Sequence, residues 1–207
     1  MFRPVVKIAC AIVCLLAASF ALAQTEFSAD IANTGREGGG KNGKVYFGKD
    51  KIRFESSRQE GMGGAVIVDL SAHTSTMVMD QQHMYMEMPI QMTSKRDPYH
   101  FFRAGDPENA CPDWLAQPAN KGGTCHKVGN DTVNGRSVVK YEGTNAEGKS
   151  GKAWLDPKLR FPVKWEESDG SGWELQNIKE GTQPANLFEI PAGYKKFDMG
   201  GMMQRQN

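Results

Sequence analysis

The stretch Lys51-Ile52-Arg53-Phe54-Glu55 alternates charged and apolar residues with a period of two. Successive side chains of a β-strand point to opposite faces, so Ile52 and Phe54 would share one face and the charged residues the other. The stretch therefore predicts a strand with one buried face and one solvated face.

The same alternation recurs along the chain, between turns rich in Gly, Asp and Asn. Asn134-Gly135 is a strong signal for a two-residue hairpin turn. Short strands at close spacing, with no long helical stripe, predict a mainly β fold built on a strongly curved antiparallel sheet, a barrel or a sandwich. The predicted strands are residues 26–32, 43–47, 51–56, 65–70, 74–79, 84–88, 136–142, 152–155, 163–167 and 172–179.

After Pro89 the alternation breaks for about 35 residues that are rich in proline. Short helical turns are predicted there at residues 98–103 and 112–116, and the first of these carries the Tyr99, Phe101 and Phe102 cluster. Elsewhere, the Gly-rich residues 35–43 predict a mobile hairpin connection, and residues 198–207 predict a flexible tail.

The N-terminus has the pattern of a secretory signal. Arg3 and Lys7 flank the start of an apolar run over residues 8–22, which ends at Ala21-Leu22-Ala23. Small residues one and three positions before the cut are what a signal peptidase requires. We therefore predict a cleaved signal peptide at residues 1–23, a mature chain beginning at Gln24, and a periplasmic or secreted location. The run is shorter than the roughly 20 residues that span a bilayer, so no membrane span is expected after cleavage.

Length and charge restrict the organisation and the partners. Residues 24–197 are enough for a single domain with a real core. Removing Arg3 and Lys7 from the 25 basic residues leaves 23 against 24 acidic residues, so the mature chain is nearly neutral. Basic residues are scattered rather than clustered, which argues against nucleic acid as a partner.

Cys111 and Cys125 are the two cysteines that remain after the signal is removed. An even pair in an oxidising compartment is expected to form a disulfide. Closing a loop of about 15 residues contributes on the order of 3 kcal/mol in the chain-entropy model. There is no Cys-x-x-Cys redox motif, and Cys125-His126 lacks the earlier cysteine of a haem attachment site.

No motif for catalysis or for a cofactor is found in the sequence: no nucleophile elbow, zinc-protease helix, phosphate loop or dinucleotide fingerprint. The four histidines are dispersed. The pattern predicts a protein that is not an enzyme and needs no cofactor. Trp154, Trp165 and Trp173 fall on three successive late strands, where they would either fill the core, the favoured interpretation, or line a cavity.

Methionine is unusually frequent between positions 77 and 92. Met84, Met86 and Met88 share one face of a predicted strand, and His83, Tyr85 and Glu87 take the other. Flexible thioethers would fill a core or line an adaptable apolar cavity, which we favour. As an alternative they would hold Cu(I), although such a site needs several converging donors and the nearby histidine faces away.

Several short motifs together resemble domain of unknown function 4412, a family of exported bacterial proteins similar to the LolA-like lipoprotein-carrier superfamily. The resemblance covers most of the mature chain and implies a curved antiparallel half-barrel with an apolar concave face. The chain differs from the carriers in lacking long lid helices, so no carrier residue is transferred. The motifs lie at residues 48–53, 84–89, 133–135, 154–156, 161–163 and 187–194, with a Met-Gly-Gly-Met-Met tail.

Three functions are therefore considered. The first is a non-enzymatic carrier that holds a lipid or another apolar ligand against a cavity face; its candidate ligand-binding residues are Met84, Met86, Met88, Trp154 and Trp165. The second is a copper-binding protein that uses the Met/His segment at residues 83–92, with Met84, Met86 and Met88 as ligands. The third is a structural module that binds a protein partner through the Tyr99, Phe101 and Phe102 loop.

Overall fold

In the computed structural model, residues 25–35, 43–56, 64–90 and 105–197 are described. They contain twelve strands in one sheet, a short α-helix and a short 3₁₀ helix at Ala185–Phe188. The strands are β1 Phe27–Thr34, β2 Gly43–Phe47, β3 Lys51–Ser56, β4 Gly64–Asp69, β5 Thr74–Met79, β6 Met84–Pro89, β7 Thr124–Val133, β8 Arg136–Thr144, β9 Ser150–Asp156, β10 Phe161–Glu167, β11 Gly172–Glu180 and β12 Lys195–Lys196. The helix α1 is Cys111–Ala116.

The sheet runs in the order β12-β6-β5-β4-β3-β2-β1-β11-β10-β9-β8-β7. Neighbours pair antiparallel except β12 and β6, which pair parallel. The sheet does not close on itself, which confirms the predicted mainly β, half-barrel architecture. Register shifts interrupt the β1–β11, β9–β10 and β7–β8 pairings, and such bulges bend a sheet.

The alternation that predicts β3 places its apolar side chains in the main core. Ile52 is fully buried there beside Phe27, Phe47 and Phe161, whose rings pack within 5.2–5.6 Å of one another. These aromatic residues join β1, β2 and β10, so the core ties the two halves of the sheet together. Trp154 and Leu175 belong to the same cluster.

Residues 185–197 cover the face of the first half of the sheet that points away from the main core. Ala65, Ile67 and Val78 form a second buried cluster there, against which Phe188 and Tyr194 pack. Arg53 donates a hydrogen bond to the Leu187 carbonyl at 3.1 Å, which fixes the 3₁₀ helix against β3.

The predicted strands are confirmed, and their ends differ from the prediction by at most two residues. The Asn134-Gly135 turn is also confirmed, since both residues have positive φ, 49° and 78°, as a tight hairpin requires. The helical turn at residues 112–116 corresponds to α1. The predicted signal, the turn at residues 98–103 with its aromatic cluster, most of the Gly-rich connection and the tail lie outside the described residues.

The strand β7 is missing from the sequence prediction. It is ten residues long, yet Val133 alone is buried, because β7 forms an edge of the sheet with both of its faces largely solvated. A strand without a buried face leaves no alternation to detect. Among the described residues, no helix is long and apolar enough to cross a membrane.

Candidate functional site

A disulfide anchors α1 to the second half of the sheet. Cys111, the first residue of the helix, is bonded to Cys125 on β7, with the two Cα atoms 5.5 Å apart. The predicted cross-link is therefore present. A helix of six residues is too short to be stable alone, so its position depends on this bond and on packing.

The loop before α1 is held by a buried tyrosine. The Tyr141 hydroxyl on β8 donates to the Pro107 carbonyl at 2.9 Å and accepts from the Ala110 backbone N–H at 3.2 Å. Within the same segment, the Gly105 N–H donates to the Asp113 carboxylate at 3.0 Å. The loop and the helix are thus tied to the sheet and to each other.

A buried asparagine holds the segment after α1 through hydrogen bonds of its side chain. Asn120 is buried, and its side-chain amide donates to the Trp114 carbonyl and to the Gln117 side chain, both at 3.2 Å. These bonds satisfy a buried polar group and hold the end of the helix in place.

Between α1 and the sheet lies a small apolar hollow with a cavity volume of about 60 Å³. This space holds roughly four to six water-sized groups. We call it the α1 hollow. Its apolar wall combines small and aliphatic side chains with aromatic rings: Ala110, Ala153, Leu155 and Pro162, with Tyr141, Trp114 and Trp165.

Two indole rings pack against each other in the wall of the hollow. The ring centroids of Trp114 on α1 and Trp165 on β10 are 5.6 Å apart, with a tilt of 36° between the planes. The Trp165 N–H donates to the Glu167 carboxylate at 2.7 Å, which sets the orientation of the ring. Gly151 on β9 lies under this ring, and a Cβ atom there would come within 2.7 Å of Trp165 Cζ2.

The rim of the hollow is polar and acidic. Asp113, Gln117 and Glu142 contribute to it. Glu142 follows Tyr141 on β8, so its side chain points to the other face of the sheet, where it pairs with Lys140 at 3.4 Å and with His126 at 3.8 Å.

A wider polar depression of about 460 Å³ lies by the same strand ends. It shares Glu142, Gly143 and Gly151 with the hollow and adds Lys152 and Glu166, which pair at 3.4 Å. Because successive side chains of a strand point to opposite faces, Lys152 and Glu166 lie on the face of the sheet opposite Ala153 and Trp165.

The structure places the predicted ligand-binding residues in three different surroundings. Trp165 lines the α1 hollow. Trp154 is 5% exposed in the main core, and its N–H donates to Asp131 at 2.8 Å. That hydrogen bond holds the pKa of Asp131 below its ordinary value. The ammonium groups of Lys164 and Lys140 lie 4.6 and 5.3 Å from the Trp154 ring centroid.

Met84, Met86 and Met88 share one face of β6, and β5 adds further thioethers to it. Met77 lies opposite Met86, and Met79 lies opposite Met84, so two cross-strand methionine pairs stand side by side. Met77 is 39% exposed. We call this surface the methionine face; six strands separate β6 from β10 in the sheet order, so it does not adjoin Trp165.

His83 stands apart from the methionine face. It occupies the β5–β6 turn with φ of 49°, and its ring packs 5.3 Å from that of Tyr194 on the other side of the sheet. Among the described residues, no three His, Cys, Asp or Glu side chains cluster closely enough to hold a metal ion.

The sequence reasoning missed Trp114, Tyr141 and Gly151 as neighbours of Trp165. The position of Trp114 could have been inferred from the sequence. It is three residues from Cys111, and the predicted disulfide brings that helix to the strand of Cys125. Tyr141 and Gly151 reach the site through strand pairing alone, on β8 and β9.

Comparison with solved structures shows a shared fold at low sequence identity. An uncharacterized conserved protein from Thermus thermophilus is 10% identical, with a TM-score of 0.54 over 85% of this chain and 91% of that one. PNGF-II is 8% identical, with a TM-score of 0.54 over 88% of this chain and 33% of that one. The MucA/MucB complex of Pseudomonas aeruginosa gives 16% identity and a TM-score of 0.50, over 83% and 57% of the two chains.

No family model matches the chain, and no curated protein matches it. Membership of the domain of unknown function 4412 family therefore stays a prediction. The half-barrel architecture that the resemblance implied is confirmed by the structure.

The first testable prediction concerns Gly151, which makes room for Trp165. In Gly151→Ala the new Cβ atom meets the indole at 2.7 Å, so the ring must move. We expect a loss of about 1–3 kcal/mol in the free energy of unfolding, as for other overpacked sites, and a shifted tryptophan emission maximum. Urea unfolding followed by fluorescence measures both. Ser150→Ala, at the exposed neighbouring position, is the control and should stay within about 0.5 kcal/mol of wild type. Equal behaviour of the two variants would contradict the packing described for Trp165.

Proposed function

We propose that this protein is a non-enzymatic, exported binding protein or carrier that holds an apolar end of its ligand in the α1 hollow. The observation that carries the proposal is the open hollow beneath a cross-linked helix, with the paired indole rings of Trp114 and Trp165 in its wall. Large rings that are not needed to fill a core, and that border a space, are typical of ligand sites.

The chemistry of the hollow favours binding over catalysis. Its lining includes no histidine, serine or free thiol among the described residues, and Cys125 is locked in the disulfide. The Tyr141 hydroxyl is already engaged by two backbone groups. What remains is apolar surface with a polar rim, which orients a ligand without reacting with it.

The size of the site suggests the kind of ligand. Binding pockets that enclose a drug-sized molecule measure roughly 300–1,000 Å³, far more than the hollow offers. The hollow therefore receives one end of a ligand, and the rest of the ligand lies outside it. An amphiphile such as a lipid, with an apolar end and a polar body, fits this arrangement.

The disulfide supports the proposed export. Such bonds form and persist in oxidising compartments, and the predicted signal would deliver the chain to the periplasm with cleavage before Gln24. The proposal that the protein binds a protein partner instead draws on MucB, which was solved together with MucA, but rests on no residue of this chain.

Filling the hollow tests the proposed function. We expect decyl maltoside, a neutral amphiphile used below its critical micelle concentration, to change the tryptophan fluorescence saturably. Ala153→Leu places a larger side chain in the hollow and should weaken this binding at least about tenfold, because the apolar end loses its space. Ala72→Leu, in an exposed turn, is the matched control.

Circular dichroism and urea unfolding establish that Ala153→Leu folds. If it does not, Trp114→Leu removes one wall from the partly exposed helix and should weaken binding as well. Saturable binding of equal strength in wild type and both variants would refute the α1 hollow as the site.

A second candidate function, Cu(I) binding, rests on the register of β5 and β6. Two cross-strand pairs, Met77 with Met86 and Met79 with Met84, bring four thioethers together on one face. Residues directly opposite in an antiparallel pair have Cβ atoms about 4.5–5.5 Å apart, within reach for long flexible side chains. Thioethers are ligands that Cu(I) prefers.

Replacing Met86 with Leu separates this function from simple packing. Leu conserves the volume, so the free energy of unfolding should change by less than about 1.5 kcal/mol. Competition with the Cu(I) chelator bicinchoninate should show affinity falling at least about tenfold if the sulfur is a ligand. Tyr85→Phe, on the opposite face of β6, is the control. Unchanged Cu(I) affinity in Met86→Leu would exclude the methionine face as a copper site.

A further inference from the structure

All five methionines of the described residues lie on the methionine face. Met77 lies directly opposite Met86, and Met79 lies opposite Met84. Methionine can fill irregular gaps anywhere in a core. A hairpin that gathers every described methionine on one face instead concentrates thioether chemistry at one place on the molecule.

The methionine face continues the apolar side of the sheet beyond the main core. Met77 lies opposite Val66 on β4, and Val66 lies opposite Phe54 on β3. Both Val66 and Phe54 are partly buried and pack against the main core. The thioethers therefore lie between the core and the end of the sheet, where β12 pairs only with Met84 and Tyr85.

Exposure to solvent differs along the methionine face. Met77 is 39% exposed, and Met86 opposite it is half-buried. Met88 lies opposite Ser75, which is 5% exposed, and Ser75 lies opposite the fully buried Val68. The pair of Met77 and Met86 is therefore open to small solutes, whereas the surroundings of Met88 close towards the core.

Along the described strands β5 and β6, no charged side chain shares this face. Tyr85 and Glu87, the neighbours of Met86 along the strand, point to the other face, where Glu87 pairs with Lys196 at 3.3 Å. An uncharged oxidant such as hydrogen peroxide therefore reaches the sulfur atoms without meeting a fixed charge on these strands.

The chemistry open to such a surface is oxygen transfer to sulfur. The lone pair of a methionine sulfur attacks one peroxide oxygen, so that an S–O bond forms and the O–O bond breaks. The transferred oxygen gives up its proton to the departing hydroxide, which becomes water. Sulfur loses two electrons, and the peroxide gains two. Methionine sulfoxide reductases reverse the change, because two thiols supply two electrons and become a disulfide while the oxygen leaves as water.

We infer that the methionine face is a site of reversible oxidation by hydroperoxides, at which Met77 and Met86 react before Met88. Each sulfoxide replaces an apolar thioether by a polar group. Because both early sulfurs border solvent, their oxidation turns the face from apolar to polar while the core beside it stays packed. The inference does not depend on the α1 hollow, so a failure of decyl maltoside to bind would leave it standing.

Peptide mapping by mass spectrometry tests the order of reaction. The folded protein is treated with hydrogen peroxide for increasing times, and each gain of about 16 Da is assigned to a residue by fragmentation. We expect Met77 and Met86 to react within about threefold of the rate of N-acetylmethionine amide, and Met88 at least about tenfold more slowly than Met77. In concentrated urea the three positions should react alike, because only the fold distinguishes them.

Two variants identify the reacting sulfurs. Met77→Leu conserves the side-chain volume and should lose one of the two fast oxygen transfers that map to this hairpin. Met88→Leu, on the same face of β6, is the matched control and should keep both.

A second step tests reversibility. The circular dichroism spectrum of the oxidised protein should match that of the untreated protein. The two stereospecific methionine sulfoxide reductases, supplied with dithiothreitol, should then restore the original mass at Met77 and Met86.

Three outcomes overturn the inference. If the relative rates at Met77, Met86 and Met88 are the same in the native protein and in urea, the fold selects no site. If Met77 reacts more than about tenfold more slowly than N-acetylmethionine amide, the face is closed to oxidants. If oxidation unfolds the protein, or if the reductases leave Met77 and Met86 oxidised, the change is damage and not a reversible modification.

Discussion

The disulfide between Cys111 and Cys125 is the constraint on which the candidate site depends. It closes a segment that contains α1, a helix too short to persist in isolation and without a buried residue of its own. Tyr141 supports the same segment from the sheet through two hydrogen bonds. Together these contacts hold Trp114 against Trp165 and keep the α1 hollow open beneath the helix.

The fold was predictable from sequence wherever a strand has one buried face. The alternation in β3 identified Ile52 as a core residue, and Asn134-Gly135 identified the β7–β8 turn. The edge strand β7 was not predicted, because both of its faces are largely exposed and its sequence therefore shows no alternation of apolar and polar residues. Its position is determined instead by pairing with β8 and by the cross-link at Cys125, which are contacts between distant parts of the chain.

The candidate site was predictable only in part, for a related reason. Trp165 was identified from its residue type and its place on a late strand. Trp114 reaches it through the disulfide, and Gly151 and Tyr141 reach it through the register of β8, β9 and β10. A hollow made by several elements has no signature in any one of them. The methionine face is the opposite case, since a single hairpin creates it and the period of two in β6 already indicated it.

The central claim is that ligand enters the α1 hollow, which Trp114 and Trp165 line. The chain has four tryptophans, so ¹⁹F NMR of protein labelled with 5-fluorotryptophan reports on each, with assignments from single Trp→Phe variants. On titration with decyl maltoside, the account predicts that the resonances of Trp114 and Trp165 shift together and saturate, whereas those of Trp154 and Trp173 stay in place. Shifts confined to Trp154 and Trp173, or no shift under conditions of saturable binding, would contradict it.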